Sequence, residues 1–374
     1  MTERVLITGG AGFIGSHLCD RLLAGGYRVR VLDALLAQVH PHQRPEYLDP
    51  AVELQKGDVR DAAAVRAALE GVGVLVHFAA AVGVGQSMYE IGHYCSINVM
   101  GTASVLEVLV KDRPRLRRIL VASSMSIYGE GRYQCPGCGP VDPLPRPAAQ
   151  LAAGDWSMRC PSCGSAVTAI PTPESKPLSP RSVYATNKRD QEELVLTVAR
   201  SLGLSAIALR FFNAYGPRQA LSNPYTGVAA IFANALLSGR RPLIFEDGRQ
   251  IRDFIHVSDV VEACALALQK DEVADEALNV GTGKPTSLLQ LLDLLRAEVP
   301  GAAEIEPEIL GRFREGDIRA CFADVSRARA LLGFEPRISI SDGARELAGW
   351  ARDQAIRDRS GEAFEQLRRF GLVR

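Results

Sequence analysis

Tyr184 and Lys188 stand four residues apart in the run Tyr184-Ala-Thr-Asn-Lys188. On a helix that spacing puts a phenol and an ammonium on one face. A tyrosine with its ordinary pKa near 10 is a poor base at neutral pH. A neighbouring cation favours the phenolate, so the pair can remove a proton from a hydroxyl group. Such pairs also occur on solvated helix faces, and the spacing alone decides little. It gains weight from Ser123-Ser124-Met125-Ser126-Ile127-Tyr128-Gly129, which follows an apolar run that reads as a strand. At the carboxyl end of that strand, Ser124 can hydrogen-bond the same substrate oxygen as Tyr184.

A second constellation is Thr8-Gly9-Gly10-Ala11-Gly12-Phe13-Ile14-Gly15. It follows the apolar run Val5-Leu6-Ile7 and opens a helical stretch, Ser16 to Ala24. Gly9 permits a tight turn, Gly12 lets backbone approach a pyrophosphate, and Gly15 lets helix pack on strand. The helix N-terminus, at Phe13 and Ile14, points free N–H groups at phosphates. The next strand ends on Asp33, whose carboxylate accepts from both ribose hydroxyls and repels a 2′-phosphate. The expected cofactor is NAD rather than NADP.

The third constellation is sulfur. Cys135-Pro-Gly-Cys138-Gly and Cys160-Pro-Ser-Cys163-Gly are two knuckles with 21 residues between them. Four thiolates at this spacing can close a tetrahedral shell around zinc. Iron in the same shell is an alternative, because the knuckle does not select the metal. Two disulfides are another, which a reducing cytosol disfavours. A four-cysteine shell has no open position, so the expected role is structural. Cys19, Cys95, Cys264 and Cys321 are isolated and read as core or pocket-lining residues.

The elements that must position these groups alternate. Val5–Ile7, Arg28–Leu32, Val52–Lys56, Val74–Phe78, Arg118–Ala122 and Ser205–Arg210 read as strands. Between them Ala62–Leu69, Asn98–Val110 and Tyr184–Ser201 read as helices. The expected fold is α/β: a Rossmann-type doubly wound parallel sheet covered on both faces. After Arg210 the pattern becomes irregular, with helices at Val228–Leu237, Val257–Leu268 and Ser287–Glu298. A smaller C-terminal substrate lobe over the carboxyl ends of the strands is expected there. The last stretch, Asp324 to Arg374, reads as largely helical. We place an NAD-binding domain at 1–211, containing the cysteine insert at 131–177. The lobe spans 212–374, with about 251–286 returning to the first domain. The insert is the part that breaks the alternation, since about fifty structureless residues are unusual in a compact domain.

The 374 residues carry 43 basic and 43 acidic side chains, and 47% are apolar. Zero net charge gives no pull toward nucleic acid or an anionic membrane. The insert offers Arg132, Tyr133, Arg146, Trp156 and Arg159 but also Glu130, Asp142 and Asp155, so a nucleic-acid role for it is disfavoured. The run from Lys111 to Arg118 reads as a solvated loop. No apolar run is long enough to span a bilayer. A strand that starts almost at Met1 leaves no room for a secretory signal, and a cytoplasmic enzyme is expected.

Further motifs give a family resemblance. They are Asp58-Val59, His77-Phe78-Ala79-Ala80, Asn98-Val-Met-Gly-Thr102, Arg210-Phe-Phe-Asn213, Arg252-Asp253, Asn279-Val-Gly-Thr-Gly283 and Arg314-Glu-Gly-Asp317. With the glycine run, Ser124 and Tyr184/Lys188, they make nearly the whole chain resemble the extended short-chain dehydrogenase/reductase family. Within it the likeness is to nucleotide-sugar epimerases and dehydratases. The resemblance implies that Asp58, Val59, Phe78, Ala79, Ala80 and Asn98 join Tyr184 and Lys188 around NAD. It implies that Asn213, Arg252 and Arg314 bind a sugar nucleotide's diphosphate and Asp317 its ribose, with Ser124 and Ser126 at the sugar. Fixed guanidinium forks suit a diphosphate. Cys321 falls where the family gates bulky sugar substituents, although simple packing beneath the sugar is an equal reading. A homodimer is also implied. The cysteine insert departs from the common pattern.

The family shares a first step, oxidation of the sugar at C4 with Tyr184 as base. Its dehydratases carry an Asp-Glu pair right after the active-site Ser/Thr, where this chain has Met125 and Ser126. Its 3,5-epimerases use a cysteine where this chain has Ser126. What remains is a 4-keto sugar that takes hydride back on its other face, which is C4 epimerisation. The run from Arg218 to Gly227, with the insert, is similar to 4-epimerases of dTDP-L-rhamnose, and the chain also resembles those of UDP-galactose. The alternatives are a C5 or C3/C5 epimerase, a 4-keto-sugar reductase, or a non-catalytic dinucleotide-binding protein. The last would be expected to lose Tyr184, Lys188 or Ser124, and all three are present.

Overall fold

Seven short apolar segments pair in parallel as one sheet in the computed structural model, which describes residues 3–40, 44–223, 225–354 and 360–373. The strands are β1 (Arg4–Thr8), β2 (Arg28–Asp33), β3 (Glu53–Lys56), β4 (Val74–His77), β5 (Arg118–Ser124), β6 (Ser205–Phe211) and β7 (Glu276–Val280). Their order across the sheet is 3-2-1-4-5-6-7, and every pairing is parallel. The order reverses between β1 and β4, and ligands of such sheets sit at the carboxyl ends beside that reversal.

The helices are α1 (Phe13–Ala24), α2 (Ala62–Leu69), α3 (Gly101–Asp112), α4 (Val183–Leu202), α5 (Val228–Leu237), α6 (Val257–Gln269), α7 (Leu288–Glu298), α8 (Ser326–Leu332), α9 (Ile340–Arg352) and α10 (Ser360–Arg369). Side chains alternate along a strand, so Val5 and Ile7 join one core while Leu6 joins the other. The first core takes Leu18 and Leu22 of α1, Val260 of α6 and Leu332 of α8. The second takes Val65 of α2, Leu106 of α3 and Val195 of α4. Full burial of each such side chain contributes about 1.5–3 kcal/mol. A separate core joins α5, α7 and α9 through Phe232, Leu291, Leu295 and Leu347. Helices α6 and α8 pack on the first core and β7 is the last strand of the main sheet, although all three follow the start of the second lobe in sequence.

The cysteine-bearing segment is not structureless. Residues Arg132–Cys135, Gly139–Val141 and Thr168–Ile170 form a three-stranded antiparallel sheet with Arg132–Cys135 in the middle. It is hydrogen-bonded to the second lobe at both ends: Gly131 N–H donates to Ala320 O and Thr172 N–H to Phe322 O, both at 2.8 Å.

The basic run ending at Arg118 is a partial miss. Arg118 is fully buried in β5, donating to Ser205 Oγ at 2.7 Å and Val273 O at 2.8 Å. Arg117 pairs with Glu3 at 2.7 Å. The charge pattern hid a strand start whose guanidinium finds buried oxygens. Among the described residues, no helix is long and apolar enough to cross a membrane. Residues 355–359 and Arg374, within the stretch expected to be helical, and Pro224, within the Arg218–Gly227 run, lie outside the described residues.

Candidate active site

A cleft of about 640 Å³ opens at the carboxyl ends of the strands and runs between the sheet and the second lobe. Its first part is the glycine turn. Gly9 has φ +69°, and a Cβ there would lie 2.8 Å from the backbone of Ala79. A Cβ on Gly15 would lie 2.6 Å from Gly10 Cα. The turn closes only with glycine at both places. Gly12 caps α1 without a side chain, so the first N–H groups of the helix, at Phe13 and Ile14, have no intrahelical partner. Gly9, Gly12, Phe13, Ile14 and Gly15 all line the cleft.

Asp33 ends β2 at the cleft. Its Oδ2 accepts from Ala11 N–H at 3.0 Å and its Oδ1 from Leu35 N–H at 2.9 Å. Those two bonds fix the carboxylate and leave lone pairs on each oxygen for hydroxyl donors. Asp58, Val59, Phe78, Ala79 and Ala80 line the same end. Asp58 is also bound by Arg60 at 2.6 Å, and this hydrogen bond holds its carboxyl below the ordinary range.

Asn98 is placed differently from the expectation. It is fully buried in a wide π-type turn, Ser96–Met100, and does not line the cleft. Its amide oxygen accepts from Ala81 N–H at 2.7 Å and its amide nitrogen donates to Ala81 O at 3.1 Å. It braces the Ala79–Ala81 loop from behind. His77 is a second brace, held between Thr8 Oγ1 at 2.8 Å and Thr102 Oγ1 at 2.9 Å, and burial pushes its pKa down to about 3.

Midway along the cleft lie Ser124, Tyr184 and Lys188. Ser124 is the last residue of β5. Tyr184 and Lys188 share one face of α4, whose N-cap Ser182 accepts from Ala185 N–H at 3.1 Å. Ser87 Oγ accepts from the Tyr184 N–H at 3.0 Å, satisfying a donor that the helix start leaves open. Ser126 Oγ donates to Ser124 Oγ at 2.9 Å, and the Ser124 hydroxyl is near enough to the Tyr184 phenol to favour its ionised form. Lys188 Nζ donates to Ala122 O at 3.0 Å.

Burial pushes the Tyr184 phenol up to about 12, and the Ser124 hydroxyl only partly opposes it. Burial also brings the Lys188 ammonium down to about 7. Lys188 is not among the causes that shift Tyr184, and the expected ionisation rests on Lys188 together with the positive nicotinamide ring of NAD. Desolvation dominates both groups, and a further positive charge is needed in the cleft to favour the phenolate.

The far part of the cleft is cationic. Arg252 donates to Asp317 Oδ1 at 2.9 Å and Arg314 to Asp317 Oδ2 at 2.9 Å. Burial pushes the Asp317 carboxyl up, but the two guanidinium groups outweigh it and hold it below the ordinary range. Arg252 is further fixed by Ile318 O at 2.9 Å. Asn213 begins a short strand at the same end, and its buried Oδ1 has no partner. Ser123 Oγ and Gln250 Oε1 are likewise buried, unpartnered and part of the cleft wall. Unmet buried polar atoms are rare in folded chains and gather where a ligand supplies the missing bond.

Cys321 does not gate the cleft. It is 1% exposed and packs with Met125, Tyr128 and Phe212 beneath the wall. Of its two readings, packing is the one the structure gives. Residues that carried no motif also line the cleft: His40, Arg181, Phe245, Gln250, Phe364 and Leu367. They come from loops and a distant helix, so no local spacing announced them.

Outside the cleft, the sulfur atoms of Cys135, Cys138, Cys160 and Cys163 all lie within 4.8 Å of one another. Cys135 Sγ and Cys163 Sγ are 3.5 Å apart.

The chain matches the profile of the NAD dependent epimerase/dehydratase family over residues 5–150 and 161–281. The break falls inside the cysteine-bearing segment. It is 34% identical to a dTDP-L-rhamnose 4-epimerase of Burkholderia thailandensis over 359 residues, 95% of this chain and 96% of that one. Among solved structures it is similar to a UDP-glucose 4-epimerase of Thermotoga maritima with UDP-glucose, with a TM-score of 0.75, 29% identity, and coverage of 93% of this chain and 98% of that one. A UDP-glucose 4-epimerase of Thermus thermophilus in complex with NAD gives a TM-score of 0.72 at 28% identity, covering 94% of this chain and all of that one. With a sheet ordered 3-2-1-4-5-6-7, a glycine turn that tolerates no side chain and a match along most of its length, the chain belongs to the NAD-dependent epimerase/dehydratase family.

Proposed function

We propose that this protein catalyses NAD-dependent epimerisation at C4 of a nucleotide-activated hexose, a dTDP- or UDP-sugar, through a transient 4-keto sugar. One observation carries the reading. Tyr184, Ser124 and Lys188 lie in a single cleft with Asp33 at one end and Arg252 and Arg314 at the other, and the residues after Ser124 are Met125 and Ser126.

The turn at Gly9 to Gly15 and the paired oxygens of Asp33 fit NAD and would hold its pyrophosphate and ribose. The chemistry NAD supplies when bound is reversible hydride acceptance, together with a positive ring. Tyr184 takes the proton of the sugar 4-hydroxyl and later returns it. Ser124 hydrogen-bonds the same oxygen and keeps it in line with the phenol. Lys188 contributes its charge from a position fixed by Ala122 O. Because burial keeps the phenol protonated on its own, proton removal is confined to the loaded cleft. Arg252 and Arg314, set by the Asp317 bridge, would grip the diphosphate with the Asn213 amide NH2 as a further donor, while the unpartnered Asn213 Oδ1 would accept from a substrate hydroxyl. Met125 and Ser126, the two residues after Ser124, supply no carboxylate or thiol to act at C5 or C6. A returned hydride on the opposite face of the same carbon is the outcome these residues serve.

The test is to incubate the protein with dTDP-L-rhamnose, UDP-glucose and UDP-galactose separately in deuterated water and follow products by NMR. C4 inversion without carbon-bound deuterium is expected with dTDP-L-rhamnose or with the UDP-glucose/UDP-galactose pair, which are each other's C4 epimers. Deuterium at C5, or net consumption of reduced cofactor, would replace this reading with an epimerase of the other type or a reductase.

The same reading gives the cysteine segment a structural zinc held by Cys135, Cys138, Cys160 and Cys163. A tetrahedral shell with Zn–S of about 2.3 Å sets its sulfurs about 3.8 Å apart, close to the observed cluster. Elemental analysis is expected to find one zinc per chain, and none in a Cys135→Ser/Cys160→Ser variant.

A further inference from the structure

Helix α10 brings Ala363, Phe364 and Leu367 to the cleft wall. Their spacing of three and four places them on one helix face, with Glu365 and Gln366 exposed on the other side. The helix touches both sides of the cleft opening. On the sheet side Leu367 packs over Gly85, where an added Cβ would meet its Cδ2 at 3.2 Å. Tyr89 stacks on Phe370 at 4.7 Å and donates to Gln366 Oε1 at 2.8 Å. Tyr225 hydrogen-bonds both Tyr89 and Gln366.

On the lobe side Phe364 lies 6.1 Å from Phe245, and the Arg314 guanidinium sits 4.8 Å above the Phe245 ring. The chain beyond the helix is tied to the segment that carries Arg314 and Asp317. Glu315 N–H donates to Leu372 O at 3.0 Å, and Val373 pairs with Arg314 as an isolated antiparallel bridge.

We propose that α10 is a clasp over the nucleotide half of the cleft and that Phe364 and Leu367 contact the bound nucleotide sugar, Phe364 on its nucleoside. This rests on the nucleotide-sugar reading above. Arg314 is the cation set for a phosphate. A nucleoside diphosphate carries its flat base one ribose away from that phosphate, within reach of the same corner. Phe364 is the half-buried ring on the clasp side of the same corner. Stacking of a base on one aromatic side chain corresponds to roughly tenfold in affinity. The contact is made by the last helix of the chain, which is joined to both walls by Tyr89, Tyr225 and Glu315.

Full-length Phe364→Ala and Gln366→Ala are compared with the parent for dTDP and UDP affinity by calorimetry, KM and kcat for the accepted sugar nucleotide, bound NAD and melting temperature. Phe364→Ala is expected to weaken nucleoside diphosphate binding about tenfold and raise KM by a similar factor, with kcat and NAD content unchanged. Phe364→Leu should recover part of the loss. Gln366→Ala, which cuts the tie to Tyr89 and Tyr225 without removing a wall residue, should shift affinity in the same direction. Unchanged affinity in Phe364→Ala and Gln366→Ala alike would overturn the clasp while leaving the epimerase reading standing. A parent enzyme that binds neither diphosphate would overturn both.

Discussion

Lys188 is destabilising where it stands. The residue is 4% exposed, burial brings its ammonium down to about 7, and Ala122 O is the acceptor it donates to. Unfolded, a lysine titrates near 10.4. Between those values the unfolded chain binds the extra proton, so stability contributed through this group rises with pH from about 7 to about 10 and is lowest below 7. Lys188→Met should therefore be more stable than the parent at pH 7, by roughly 2–4 kcal/mol after the lost hydrogen bond is set against the desolvation. The gap should close toward pH 10. Activity should fall at least about a hundredfold. Chemical unfolding at pH 7 and pH 10 checks the sign, and a variant less stable at pH 7 would refute it. Tyr184→Phe tests the other half of the pair. It should retain bound NAD and lose at least about a hundredfold in kcat, read by single-turnover kinetics.

At the scale of elements, the site depends on how three segments end. β1 turns into α1 through glycines that leave no room for a Cβ. β5 ends on Ser124. α4 begins at Val183, one residue before the phenol. That last junction is held by Ser87, from a short helix after β4, whose hydroxyl also donates to Val84 O at 2.7 Å. Ser87→Ala should leave the fold and NAD content intact and lower kcat about three- to tenfold, because one hydrogen bond aligning Tyr184 is lost. Steady-state rates with NAD content measured in parallel decide it. Six of the seven strands were legible from periodicity to within two residues, whereas Glu276–Val280 was not read as a strand and the starts of α1 and α3 were displaced by three residues. Braces such as Ser87 and Asn98 were not legible, because their partners lie 97 and 17 residues away in sequence.

At the scale of the whole molecule, the cysteine-bearing segment is a strut. Arg146 forks onto Glu246 at 2.7 Å, with both side chains nearly fully buried. Glu246 and Asp247 in turn hold Arg319. Glu130 accepts from Tyr133 Oη at 2.8 Å and from the N–H groups of Arg319 and Ala320. Burial pushes the Glu130 carboxyl up, against those hydrogen bonds. The segment from Asp317 to Ala320 is therefore pinned from behind, and the guanidinium clamp in front of it inherits that position. Chelator treatment, which would strip the proposed zinc, or Cys160→Ser should lower the melting temperature and raise KM more than it lowers kcat. Thermal unfolding and steady-state kinetics with and without restored zinc check this.

Residue types and spacing by themselves determined the parallel sheet, the dinucleotide turn, the Ser124, Tyr184 and Lys188 set and the four-cysteine cluster. Each is written in local signals: alternating strands and helices, a glycine turn, a strand end and a helix start, or a repeated knuckle. Only the tertiary structure decided that Arg118 is core, that Cys321 packs instead of gating, that Asn98 braces a loop, and that α10 reaches the cleft. Those depend on what lies across tens to hundreds of residues of chain. Burial, which sets the ionisation of Tyr184 and Lys188, is a property of the assembled neighbours and of no single segment.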